Sequence, residues 1–186
     1  MNRDQKSALR SSASMDFEAF WRQLPRDGFA PHRREFKPER AMKFLKSLVL
    51  VEAPVGQSAR LRLRLVGSAF QIRIQRDVTG CDYLDFLAPA HHAGAIESGR
   101  KVVQQPCGLW QCMDVHYERG FAQTLEVTVF PLLADGDGVP LLLAHVEPRD
   151  TLVTPEPSQG RAMLVSTASH YRFIDVGAGL PDLMAA

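Results

Sequence analysis

A chain of 186 residues and 20.7 kDa allows one domain with appendages. At this size about 70% of the unfolded surface can be buried, enough for a core without staples. With 45% hydrophobic and 23% charged residues it is not a largely disordered protein. Its longest uncharged run, residues 102–113, falls short of the roughly 20 residues that span a bilayer. The first residues, Met-Asn-Arg-Asp-Gln-Lys-Ser, carry no apolar stretch of a secretory signal, so a cytoplasmic location is expected. Three cysteines, Cys81, Cys107 and Cys112, suit a reducing compartment rather than a disulfide framework. The net charge of +1 conceals +8 in residues 1–80 against −7 in residues 81–186. A basic half can serve nucleic acid, but these cations are scattered and lack interleaved stacking aromatics. Halves that fold against each other are the simpler reading.

Residues 1–13 are small and polar and read as a disordered N-terminus. Phe17, Phe20, Trp21 and Leu24 then recur at i, i+3, i+4 and i+7, which predicts a helix with Ser14 as its cap and Pro25 as its stop. Pro38 to Leu45 predicts a second short helix. Ser47 to Glu52 is β-rich, and residues 54–58 have turn chemistry. Arg60-Leu61-Arg62-Leu63-Arg64-Leu65 alternates throughout, which predicts a hairpin with leucines on one buried face and arginines in solvent. Residues 68–76 and 83–87 predict short helices, and residues 89–103 have helical length with a weak stripe. Three strands are expected over 107–117, 121–133 and 139–146. In the middle one Leu125, Val127 and Val129 share a face opposite Thr124, Glu126 and Thr128. Asp135-Gly-Asp-Gly138 marks the hairpin between the last two. This order gives an α+β fold around an antiparallel sheet. Residues 150–160 read as a linker and 161–186 as a β-like C-terminal extension.

The chemical motifs are weak. Cys107, Cys112 and His116 lack a second ligand pair, and five positions on a strand turn the two thiols to opposite faces, so no metal is assigned. His91 and His92, adjacent near a helix start, point about 100° apart and read as a helix-start polar pair rather than as a metal pair or a haem ligand. Asp135-Gly-Asp-Gly138 lacks the oxygen ligand of a calcium loop where Val139 stands. There is no P-loop and no nucleophile elbow, and no catalytic residues are assigned.

Arg64-Leu-Val-Gly-Ser-Ala-Phe70, Arg76-Asp-Val-Thr-Gly80 and Tyr83-Leu-Asp-Phe-Leu87-Ala-Pro89 together resemble the signature of PAS domains. Phe20-Trp21 and the strand ending Phe130-Pro-Leu-Leu133 are similar to features of a bacterial family of mostly standalone PAS-type proteins. The resemblance spans about residues 15–148, within a domain drawn at 14–149. It implies a five-stranded antiparallel sheet with short helices on one face, plus an N-terminal flanking helix. It also implies a non-catalytic sensory or regulatory module working through a small ligand, a protein partner or both. A PAS pocket would be lined by Phe70, Ile74, Tyr83, Leu87, Leu125 and Val127, unless these are filled core. The flavin-thiol signature is unmatched: Cys81 directly follows Gly80, and its Asn and Gln are missing. The cofactor is left open. The stripe of Phe17, Phe20, Trp21 and Leu24 must pack on the chain's own sheet or on a second copy, and a homodimer through this helix is expected. The alternatives are a small enzyme assembled from Cys81, Cys112, His116 or His91, and, more weakly, a nucleic-acid-binding protein.

Overall fold

The computed structural model describes residues 9–118, 120, 122–149 and 162–182, with backbone alone for 162–167 and 169. Six strands form one antiparallel sheet: β1 (Leu48–Glu52), β2 (Leu63–Val66), β3 (Cys107–Tyr117), β4 (Ala122–Leu132), β5 (Leu141–Pro148) and β6 (Ala162–Asp175). Their order is β2-β1-β5-β4-β3-β6. The helices are α1 (Ser12–Arg22), α2 (Ser68–Ile74) and α3 (His92–Gln104), with 3-10 turns at Tyr83–Phe86 and Pro89–His91. The predicted helix at Pro38 is instead two 3-10 turns, Pro38–Ala41 and Leu45–Ser47.

Both faces of the sheet are buried. Its front carries Val49, Val51, Leu109, Leu125, Val127, Leu142 and Val146 beneath α2, α3 and the 3-10 turns. Its back carries Leu48, Leu50, Phe130, Leu132, Leu141 and Leu143 beneath α1 and residues 30–44. Consecutive apolar residues such as Leu141-Leu-Leu-Ala144 alternate between two dry faces, the pattern of a doubly covered strand. The expectation of one buried sheet face is therefore corrected, because α1 covers the other. Its apolar stripe is spent inside the chain. Phe17 and Trp21 are fully buried, and Leu24 nearly so. Trp21 stacks on Phe130 at 4.7 Å and donates its indole N–H to the Pro131 carbonyl at 2.9 Å. Phe20, half-buried, meets Phe36 and Phe44. Assigning Phe17, Trp21 and Leu24 to a dimer interface is corrected accordingly, since these side chains are packed inside the chain, while Phe20, the fourth residue so assigned, stays half-buried.

The helix begins earlier than expected. Ser11 caps it, its hydroxyl accepting from the Ser14 N–H at 3.1 Å, while Ser14 is buried and shares a 2.6 Å hydrogen bond with Thr128. The polar residues of β4 thus lie under α1 rather than in water. Glu126, buried, accepts from the Ser11 N–H at 2.9 Å, from Arg149 at 3.2 Å and from the Trp110 indole.

At the sheet edge the Arg/Leu alternation breaks. Leu50 pairs with Leu65 and Val51 with Leu63, so a bulge at Arg64 shifts the phase. Leu61 and Leu63 join the front core, whereas Leu65 packs on the back, against the expectation that all three share one face. The outer edge of β2 is covered by the Thr-Gly turn: the Leu63 N–H donates to Cys81 and the Gly80 N–H to Leu63, at 2.9 and 2.7 Å.

The C-terminal extension supplies β6, which pairs with β3 along nearly its whole length and makes the sheet six-stranded rather than five. Arg172 lies over the Trp110 ring at 4.8 Å. The linker at 150–160 and the N-terminal segment up to residue 8 fall outside the described residues.

Candidate functional site

Between the front of the sheet and the helices lies a cavity of about 340 Å³. Its floor comes from Val49 and Val51, from Leu109 and Met113, from Leu125, Val127 and Val129, and from Leu142, Ala144 and Val146. Phe70, Arg73 and Ile74 of α2 close one side; Tyr83, Phe86 and Leu87 of the 3-10 turn close another. All six residues assigned to a pocket from the sequence, Phe70, Ile74, Tyr83, Leu87, Leu125 and Val127, line this cavity.

The space exists because its roof is small. Along α3 the inward positions are Ala95, Ser98, Gly99 and Val102, again at i, i+3, i+4 and i+7, with Gly94 beside them. A Cβ added at Gly99 would stand 3.1 Å from Pro54 and 3.2 Å from Leu142, so glycine sets how closely α3 approaches the sheet. Small side chains facing Ala144 and Ala168 cannot fill the gap that larger ones would. At the rim, Ser98 and Tyr171 share a 3.2 Å hydrogen bond that joins α3 to β6.

The lining is mostly apolar, with a few polar groups. Tyr83 directs its hydroxyl to the Met113 sulfur at 3.8 Å, and burial pushes the phenol up to about 12, so it stays neutral. Arg73 is 6% exposed. Its Nη1 donates to the Ala69 carbonyl of its own helix at 3.2 Å, while its Nε meets no partner. Burial lowers its proton affinity, against the opposing influence of Tyr117 and Glu147. Arg73, Gly99 and Tyr171 were not assigned from the sequence, and His91 was named only for the alternative enzyme. Arg73 was within reach, since it follows Phe70 by three positions and so shares its helix face.

Of the residues proposed for an assembled enzyme, His91 lines the cavity, whereas Cys81, Cys112 and His116 are not part of its wall. His116 is exposed, and Cys107 lies in the front core with its thiol pushed up to about 12 by burial and by Asp175. Among the described residues, no three His, Cys, Asp or Glu side chains could hold a metal ion. Asp135 closes the β4–β5 hairpin and accepts from the Arg34 N–H at 2.9 Å. Basic residues of the first half pair with acids in several places, among them Lys43 with Asp16 and Arg64 with Glu52. No described helix is long and apolar enough to cross a membrane.

A family model described as PAS domain matches residues 9–146. It covers most of the chain and all the elements from α1 to β5, and the antiparallel sheet with its flanking helices agrees with it. The chain belongs to the PAS domain family, whose members are usually non-catalytic sensory or regulatory modules. No curated protein matches the chain.

Proposed function

We propose that this protein is a ligand-responsive regulatory module whose cavity takes up a small, largely apolar molecule and whose output passes to a protein partner, a second copy of the chain included. The observation that carries this reading is the cavity itself, since well-packed interiors rarely keep a void of this size. At about 340 Å³ it lies at the lower end of the roughly 300–1,000 Å³ typical of ligand sites. Its wall combines α2, α3, the 3-10 turns that follow α2 and five of the six strands, so an occupant would brace α2, α3 and β6 against the sheet. Three free cysteines suit action in a reducing cytoplasm.

The test is an NMR titration of isotope-labelled protein with 1-octanol. Saturable shifts should concentrate on methyl groups of Leu125, Val127, Leu142 and Val146, and Ala144→Phe should abolish them while amide dispersion is kept. Shifts scattered over the surface, or none, would overturn the reading. Native mass spectrometry of freshly purified protein would reveal a retained ligand.

A further inference from the structure

We infer that the ligand is an amphipathic carboxylate whose head group is held by Arg73 and whose apolar body lies along the sheet beneath α3. This rests on reading the cavity as a ligand site. Arg73 stands on the cavity face of α2, more than nine-tenths buried, with Nε unpartnered, Nη1 donating to a backbone carbonyl of its own helix and the uncharged Tyr117 hydroxyl as its side-chain partner. A buried guanidinium with an idle donor is costly unless an acceptor, best an anion, completes it. Among the described residues no carboxylate lines the cavity. Tyr83 is held neutral, and burial raises Tyr117 as well. Glu147, the carboxylate that acts on Arg73, already accepts from Ser47 at 2.7 Å and lies 3.5 Å from His145. A guanidinium fork suits a planar carboxylate better than any neutral head group. The rest of the wall is mostly apolar, with Tyr83, His91, Ser98, Gln111 and Tyr171 as its other polar members and no second guanidinium or ammonium, which points to a single anionic head on an apolar body. A cavity of about 340 Å³ has room for a body the size of a medium-chain acid.

Calorimetric titration of the full chain with octanoate, 1-octanol and octylamine at neutral pH separates the possibilities. Octanoate should bind about 10- to 100-fold more tightly than 1-octanol, and octylamine least of all. Arg73→Met should erase the preference for octanoate while leaving 1-octanol binding in place, and Arg73→Lys should restore part of it. Equal binding of octanoate and 1-octanol, or a preference that survives Arg73→Met, would overturn the head-group assignment and leave the apolar cavity standing. Binding of none of the three would overturn both. Should Arg73→Met fail to fold, the three-ligand series in the unaltered chain still decides.

Discussion

At Gly67 an added Cβ would stand 2.5 Å from the carbonyl oxygens of Leu45 and Lys46, which are backbone and cannot swing away. The glycine of Arg64-Leu-Val-Gly-Ser68 therefore fits because the chain crosses another strand of backbone there as it enters α2. Gly67→Ala should destabilise by about 1–3 kcal/mol in urea titration. Gly94 is the matched control. A Cβ there meets nothing within 4 Å, and within α3 alanine should gain about 0.5–1 kcal/mol over glycine. Similar losses at the two sites would contradict the contact at Gly67. Glu147 supplies a pH dependence. Its hydrogen bond with His145, reinforced by Ser47, lowers its carboxyl from 4.5 to about 2 against the opposing effect of burial. A group whose folded pKa is depressed stabilises above its unfolded value and loses that contribution as pH falls. Allowing for partial exposure, about 1–2 kcal/mol should disappear as pH falls from about 4.5 through about 2. Thermal melts of Glu147→Gln should show a flatter acid limb over that interval; an unchanged limb would count against this pairing.

Elements read well from the sequence where the side chains carried the periodicity, and poorly where neighbouring elements decided. The limits of β3 follow from composition, and α1 from its aromatic stripe. What covers α1 was not legible, because an apolar stripe fits the chain's own sheet or a mate equally well. The continuous leucines of β5 were the available sign that the back face is dry. α3 looked weakly amphipathic for a different reason. Its inward stripe is Ala95, Ser98, Gly99 and Val102, whose small volumes register faintly as hydrophobicity yet shape the cavity. The bulge at Arg64 was invisible because alternation alone carries no register. At the start of β2 the phase remains testable: Leu63→Ala should cost about 2–5 kcal/mol and Arg62→Ala, exposed just before the strand, less than about 0.5 kcal/mol. Equal effects in chemical denaturation would mean the strand is turned over.

For the molecule as a whole, two helical layers enclose one sheet, and each layer has a separate task. The front layer encloses the cavity; the back layer packs its aromatic side chains onto the sheet. α1 belongs to the second, so a chain beginning at residue 28 would bare Phe130, Leu132 and Leu143 and leave Glu126 without the Ser11 N–H. Such a chain should lose cooperative unfolding or aggregate, as followed by circular dichroism and light scattering. A folded, soluble monomer from it would show that the back face does not depend on α1.

The sixth strand lies beyond the residues that mark the family, since the match ends at 146 and β6 begins at Ala162. Yet Ala168 and Tyr171 stand in the cavity wall, and β6 occupies the hydrogen-bonding edge of β3. Cutting the gene at the family boundary would yield a different object, with a breached container and a raw, adhesive margin along residues 107–117. Self-association or weak ligand retention measured on that fragment would describe the cut rather than the protein. Here the family match and the cavity wall have different outlines.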